Sequence, residues 1–179
     1  SEGLVGSEMC IRDRVYGCYS IYCMDSKNGR IMDIETLRDD IIKEEGGIIL
    51  EPYQDHLGYW TIGAGHLIRD NEKDELMKPI TKERAVELFM KDFNVALNDM
   101  EIFTEDMSLD DNAKECVAHM VFQLGLPRLQ KFVKFKECLK NKDYAGAMVE
   151  MKDSRWYNQT TNRANRIIAK MQKSITVDV

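Results

Sequence analysis

The spacing of apolar residues predicts a helix near the start of the patterned part of the chain. Apolar side chains recur every three or four positions across residues 33–45, and the pair Gly46-Gly47 ends the pattern. The residues that carry it are Ile34, Leu37, Ile41 and Ile42. Two acids, Glu44 and Glu45, close this helix, although helix C-termini favour cations. That placement calls for an arginine partner or a catalytic role.

The next segment has the pattern of strands, and the remainder has that of helices. Short apolar and aromatic runs between residues 48 and 68 alternate with Pro and Gly, which predicts a small antiparallel hairpin or three-stranded sheet. Thr81 is a plausible N-cap for a long amphipathic helix. Further helical periodicity covers residues 112–124, 131–141, 143–152 and 161–173, with Asp143 and the pair Thr160-Thr161 as caps.

These elements predict an α+β fold with two lobes and a cleft between them. The boundaries expected are a β lobe over about 46–80, a linking helix over about 81–100, and a helical lobe over about 101–173 joined by helix 33–45. Residues 1–32 lack periodicity, and we expect an N-terminal extension that is non-native or disordered, with an N-terminal strand as the alternative. Residues 174–179 are expected to form a tail.

The composition argues against several classes of function, namely nucleic-acid binding, membrane insertion and metal binding. The 179 residues include 25 Lys and Arg against 31 Asp and Glu, a net charge of −6, so the overall charge does not favour nucleic acid as a partner. No apolar run approaches the roughly 20 residues needed to span a bilayer, and no signal peptide is recognisable, so stable membrane insertion is not expected. The histidines and cysteines have no metal-ligand spacing, and we expect neither metal nor cofactor.

Carboxylates are the first candidates for chemistry. Asp55 lies in a polar turn, and Glu44 and Glu45 end the preceding helix. Two carboxylates in different environments are what cleavage of a glycosidic bond requires, one as the acid and one to act on water or the sugar. Most acids near turns are merely solvated, and the spacing alone does not separate these interpretations.

Three segments resemble a known family. The runs YQDHLGYWTIGAGHLI, HMVFQLG and SRWYNQTTNRANRII are similar to signature segments of the phage-type lysozymes, glycoside hydrolase family 24, and lie in the family's order within about 33–173. The resemblance implies a lysozyme-like α+β fold and a monomeric endolysin or muramidase without a cofactor. It further implies inverting hydrolysis of the β-1,4 bond between N-acetylmuramic acid and N-acetylglucosamine in peptidoglycan, its partner. The expected setting is lysis of the host cell after storage in the host cytoplasm.

The family's catalytic pattern fits with one departure. In the pattern a Gly follows the Glu, eight residues separate that Glu from an Asp, and five separate the Asp from a Thr. Asp55 and Thr61 fit it, but nine residues separate Glu45 from Asp55. Either one residue is inserted among 47–52 and Glu45 is the acid, or Gly46 stands where the acid was lost. We favour the insertion, because a loop containing Gly and Pro can absorb one residue. Glu44 is the next candidate for the acid.

The resemblance also implies roles for these residues and their neighbours. Glu45 would protonate the glycosidic oxygen, while Asp55 and the Thr61 hydroxyl would hold the attacking water. Arg163 matches the family arginine that reaches the catalytic Glu. His66 matches a structural histidine, whose expected ion-pair partner is Asp92 on the linking helix.

Substrate contacts are expected at family cleft positions, namely Leu67, Phe122, Gln123 and, more loosely, Phe132. Phe135 and Glu150 stand where the pattern has a serine and an asparagine, which puts fine saccharide contacts in doubt. Trp156 is expected in the core. Residues 154–173 contain no acid, and their basic side chains predict either a solvated helix face or a basic rim for the anionic wall polymer; these are Arg155, Arg163, Arg166, Lys170 and Lys173.

Two rival functions stay open at this level. A catalytically silent peptidoglycan-binding protein of the same fold would follow if Gly46 replaced the acid. A lytic transglycosylase needs one acid and no carboxylate that holds water, so Asp55 and Thr61 argue against it.

Overall fold

The computed structural model describes residues 32–55 and 57–175. Three strands follow the first helix, and helices make up most of the rest. The strands are β1 (Ile49–Gln54), β2 (Trp60–Gly63) and β3 (His66–Leu67). The helices are α1 (Ile34–Glu44), α2 (Lys73–Leu76), α3 (Lys82–Thr104), α4 (Asp111–Leu124), α5 (Leu126–Leu129), α6 (Val133–Lys140), α7 (Tyr144–Lys152), α8 (Arg155–Gln159) and α9 (Thr161–Ile175), with a 3₁₀ turn at Asp70–Glu72.

Side-chain caps begin several of the helices. Asp33 starts α1 by accepting a hydrogen bond from the Thr36 N–H, and the predicted caps Thr81 and Asp143 do the same for α3 and α7. The Thr160 and Thr161 hydroxyls instead donate to carbonyls in α8. α3 extends to Thr104, one turn beyond the predicted end. α5 and α8 have only four and five residues, so they are too short to produce a recognisable helical periodicity in the sequence.

The sheet is antiparallel, in the order β1-β2-β3, and β1 is irregular. Its pairing passes from Ile49 opposite Gly63 to Tyr53 opposite Thr61, so residues 50–52 of β1 face the single residue Ile62 of β2. Such a bulge accommodates extra residues in one strand without disturbing the pairing on either side. It falls within the segment where the sequence predicted an insertion.

Two apolar clusters are joined by α3. The larger cluster fills the helical lobe, and the smaller lies between the sheet and α3 and contains Ile62, Ile68, Leu76 and Leu88. Two consecutive residues of α3 belong to different clusters: Leu88 to the small cluster and Phe89 to the large one. Because α3 buries apolar side chains in both clusters, it connects the β lobe to the helical lobe.

The predicted terminal segments lie almost wholly outside the described residues. Met32, Ser174 and Ile175 are the exceptions. Ser174 and Ile175 were assigned to the tail, but they belong to α9. Met32 was assigned to the extension, but its side chain is buried in the large cluster. The folded unit therefore begins at least one residue earlier than predicted. No helix among residues 32–55 and 57–175 is long and apolar enough to cross a membrane.

Candidate active site

Glu45 lies directly after the last residue of α1, where the chain turns into the β lobe. Its backbone is still helical, with φ −78° and ψ 0°, and its N–H donates to the Ile41 carbonyl. Gly46 and Gly47 follow with φ of +84° and +91°, a backbone conformation that residues other than glycine rarely adopt. The glycine pair thus ends the helix while the Glu45 side chain stays close to the fold.

Arg163 on α9 holds the Glu45 carboxylate. Its Nη1 donates to Glu45 Oε1 at 2.6 Å, and the two side chains are 11% and 17% exposed. The pair joins residues from the first and last described helices, and such a charge-assisted bond in a largely buried setting is among the stronger polar contacts in a protein. This supplies the arginine partner that acids at a helix end call for.

Gly65, in the turn between β2 and β3, lies against the same carboxylate. Its φ is +81°, and a β-carbon there would lie 2.6 Å from Glu45 Oε2 and 2.9 Å from Cδ. Only a glycine gives the carboxylate this space. No local pattern in the sequence predicted this contact, because Glu45 lies in a different element, before β1.

Glu44, the alternative acid, is engaged by a different arginine. Arg166 Nε and Nη2 donate to its two oxygens, each at 2.6 Å. The bond from Arg166 keeps the pKa of Glu44 below its ordinary value, although partial burial opposes that shift. A carboxylate stabilised in its ionised form by a two-pronged arginine is a poor proton donor.

Asp55 is fixed by the turn that follows β1. Its Oδ1 accepts hydrogen bonds from the Leu57 and Tyr59 N–H groups at 2.9 and 2.8 Å, and its own N–H donates to the Tyr59 carbonyl. Oδ2 accepts no hydrogen bond from the described residues. The turn therefore orients one oxygen and leaves the other available to a ligand.

Thr61 and Tyr53 share one face of the sheet with Leu67, because residues that are paired across antiparallel strands point the same way. The buried Thr61 hydroxyl donates to the Tyr59 carbonyl at 3.2 Å, so its oxygen can still accept. Burial first, and then the charges of Glu45 and Asp55, raise the pKa of Tyr53. The charges of both carboxylates therefore act on this tyrosine.

His66 bonds to Asp92, as the sequence predicted, and links β3 to α3. Its Nδ1 lies 2.6 Å from Asp92 Oδ2, while Nε2 lies 3.4 Å from Glu72 Oε2 without hydrogen-bond geometry. The bond to Asp92 raises the pKa of His66, against the effect of its burial. A buried imidazole between two carboxylates suits a structural link better than a catalytic base.

The predicted substrate residues differ in how freely they face solvent. Leu67 is 49% exposed, whereas the Gln123 Oε1 accepts a 2.7 Å bond from the Trp156 indole N–H. Phe122 packs on Phe89 with ring centroids 5.8 Å apart. The buried Trp156 thus fixes the Gln123 amide and leaves its NH₂ group for a ligand.

Two aromatic residues beside the expected cleft pack on each other. Phe135, which stands where the family pattern has a serine, is buried, and its ring centroid lies 6.4 Å from those of Phe103 and Phe132. Phe132, one of the predicted substrate residues, is half-buried at the start of α6. Phe135 therefore extends the core rather than the cleft lining.

The sequence predicted either a solvated face or a basic rim for five basic residues, and three of them form ion pairs with acids. Arg163 and Arg166 bond to Glu45 and Glu44 as described, and Lys170 Nζ bonds to Asp40 at 2.6 Å and Glu115 at 3.3 Å. Acids of α1, Glu45 directly after it and Glu115 of α4 therefore neutralise the basic side of α9. The acid-free run misled because its partners lie between 55 and 130 residues away along the chain.

Comparison with known families matches residues 43–173 to phage lysozyme. The chain belongs to the phage lysozyme family. It is accordingly a glycoside hydrolase, a lysozyme that hydrolyses peptidoglycan, and the predicted α+β lysozyme-like fold is confirmed.

Relatives of this lysozyme occur in a cellular organism and in phages. It is 36% identical over 153 residues to "Probable T4-type lysozyme 2" of Dictyostelium discoideum. The alignment covers 73% of this chain and 90% of that protein. It is 28% identical to "Peptidoglycan hydrolase gp36" of Pseudomonas phage phiKMV, over 68% of this chain and 13% of that one. "Pre-baseplate central spike protein Gp5" of Enterobacteria phage T4 is 25% identical, over 72% of this chain and 26% of its own length.

Proposed function

We propose that this lysozyme is a muramidase that cleaves the β-1,4 bond between N-acetylmuramic acid and N-acetylglucosamine with inversion at the anomeric carbon. The observation that carries the proposal is the different fixation of two carboxylates whose charges both act on Tyr53. Glu45 is held through one oxygen by Arg163, and Asp55 through one oxygen by its own turn. Each has a second oxygen without a hydrogen bond from the described residues.

Glu45 is the proposed general acid. Its Oε1 is bonded to Arg163, so Oε2 is the oxygen that carries a proton to the glycosidic oxygen. Protonation lets the bond from the anomeric carbon to that oxygen break with a neutral hydroxyl as leaving group. Glu44 does not suit this role, because Arg166 occupies both of its oxygens.

Asp55 is the proposed base. Its Oδ2 takes a proton from a water molecule whose oxygen forms the new bond to the anomeric carbon, on the face opposite the leaving group. The Thr61 oxygen accepts the second proton of that water in a hydrogen bond. One water is consumed, one proton passes from Glu45 to the leaving group, and one passes to Asp55.

Glycan strands of peptidoglycan are the proposed partner, with exposed Leu67 and the NH₂ group of Gln123 as sugar contacts. We expect Phe122 and Phe132 to shape the cleft through packing. Action as a monomer, and a role in lysis from the host cytoplasm, remain predictions from the resemblance.

The contacts of Glu45 and Asp55 favour hydrolysis over both rival functions. A silent binder has no need for an acid held by a largely buried arginine. A transglycosylase has no need for a second carboxylate fixed by two backbone N–H groups.

Analysis of the products tests the proposal. Purified peptidoglycan is digested and the new chain ends are reduced and separated, while proton NMR follows the first anomer that forms. The proposal expects reducing N-acetylmuramic acid ends that appear first as the α anomer. Anhydro ends would establish a transglycosylase, a first β product would overturn inversion, and binding without any product would establish the silent binder.

A further inference from the structure

His119 on α4 is a buried histidine that the proposed mechanism does not use. Its side chain is 0% exposed, and neither ring nitrogen has a hydrogen-bond partner among the described residues. Burying polar atoms without partners costs free energy, and native proteins usually satisfy such atoms directly or through an ordered water. The position of this imidazole therefore needs a physical reason.

Arg163 has buried polar atoms that match this need. While its Nη1 holds Glu45, its Nε and Nη2 are buried without a partner in the part of the chain that the structure describes. α9, which carries Arg163, packs against α4, and the positive charge of Arg163 acts on His119. A guanidinium can only donate, whereas a neutral imidazole has one nitrogen that accepts.

We propose that His119 is a positioning residue for the acid Glu45: its neutral imidazole accepts a hydrogen bond from Arg163, directly or through one buried water, and so fixes the guanidinium that holds the carboxylate. The proposal rests on the proposed function for its effect on activity. The contact between His119 and Arg163 is independent of that function and is tested separately.

The charges around His119 keep it neutral. The charges of Lys170 and Arg163 on α9 and of Asp40 and Glu44 on α1 act on it, and Glu115 on its own helix bonds to Lys170. Burial first, and then the two cations, lower the pKa of His119 to about 4, while Asp40 and Glu44 oppose that shift. At neutral pH the ring is thus an acceptor, and protonation would set a cation against Arg163.

Two variants and a control test the effect on activity. His119→Leu fills a similar space without an acceptor, His119→Asn keeps an acceptor that does not titrate, and Val117→Ala alters another fully buried residue of α4. We expect His119→Leu to lower kcat on peptidoglycan roughly tenfold with little change in KM, because a displaced acid acts less efficiently on bound substrate. His119→Asn should recover most of that loss, and Val117→Ala should keep wild-type kcat below its unfolding temperature.

A readout independent of activity decides the contact itself. Nitrogen-15 NMR measures hydrogen exchange at the Arg163 Nε and Nη2 groups, which we expect to be slow in the wild type and His119→Asn, and faster in His119→Leu. In the wild type, protection should decrease as the pH is lowered towards the pKa of His119. If protection is insensitive both to that protonation and to His119→Leu, the proposal is overturned, whether or not the protein hydrolyses peptidoglycan. If His119→Leu does not fold, the wild-type titration alone gives the decision.

Discussion

The Glu45 carboxylate lies against the backbone of Gly65, where a β-carbon would come within 2.6 Å of Oε2. The other oxygen, Oε1, accepts the bond from Arg163. A glycine in the β lobe and an arginine in the last described helix therefore define the position of the carboxylate from two sides. This relationship predicts how the site responds to changes in the β lobe.

Gly65→Ala should impair activity beyond its effect on stability. The new methyl group must displace Glu45, and we expect kcat/KM to fall by roughly a hundredfold, the scale seen when a reacting group moves by about 1 Å. Gly47→Ala is the matched control, because its φ is also positive, at +91°, and no atom lies within 4 Å of the added carbon. Both variants should lose about 1 kcal/mol from backbone strain. Equal loss of activity in the two variants would contradict the account.

The two arginines of α9 should differ in their effect on catalysis. Arg163→Gln removes the bond to Glu45, and we expect at least roughly a tenfold loss of kcat/KM because the acid is no longer held. Arg166→Gln removes the bonds to Glu44 and should leave kcat/KM within about twofold, since these bonds do not reach Glu45 and the Arg166 side chain is 58% exposed. Clearing rates of wall suspensions measure both, and a larger loss in Arg166→Gln would refute the assignment.

The bond between His66 and Asp92 should stabilise the protein most at acid pH. Because the pKa of His66 is raised in the folded state, its stabilisation is complete below the unfolded value and is lost as the pH rises through the folded one. Asp92→Asn should therefore lower the free energy of unfolding by about 1–3 kcal/mol at pH below 6.5, and by less at alkaline pH.

Denaturant unfolding at several pH values measures this difference. Asp99→Asn, on the same helix, is the control, because no hydrogen bond or ion pair from the described residues reaches Asp99. A pH-independent effect of Asp92→Asn would show that the charged bond is not responsible.

His119 should give the opposite pH dependence. Its pKa is about 4 in the folded state against an ordinary value of 6.5, so the unfolded chain binds more protons between these values. The free energy of unfolding should rise by about 3 kcal/mol from pH 4 to 6.5 on account of this group. The His119→Asn variant should lack this rise in the free energy of unfolding. An identical pH dependence in the variant and the wild type would refute the prediction.

Local rules predicted the main helices and their caps because these depend on neighbouring residues. The helix over 33–45, the Thr81 cap and the β-rich segment all follow from periodicity and turn residues. The irregular pairing of β1 could only be suspected from a one-residue mismatch, since the register depends on both strands.

The site was less predictable where long-range contacts define it. The resemblance indicated Arg163 and the pair His66–Asp92, and the contacts are present. The contact of Gly65 with Glu45, the Arg166–Glu44 bond and the buried His119 left no local signal, because each depends on packing between distant elements.

The central claim is that Glu45 is the catalytic acid, and the most direct test compares Glu45→Gln with Glu44→Gln in clearing of chloroform-treated Gram-negative cells. The two residues are adjacent, and each bonds to one arginine of α9. We predict that Glu45→Gln lowers clearing by at least about a hundredfold, as expected for loss of a general acid, and that Glu44→Gln clears at close to the wild-type rate. Clearing by folded Glu45→Gln at the wild-type rate would contradict the claim, and loss of clearing in Glu44→Gln alone would transfer the role to Glu44.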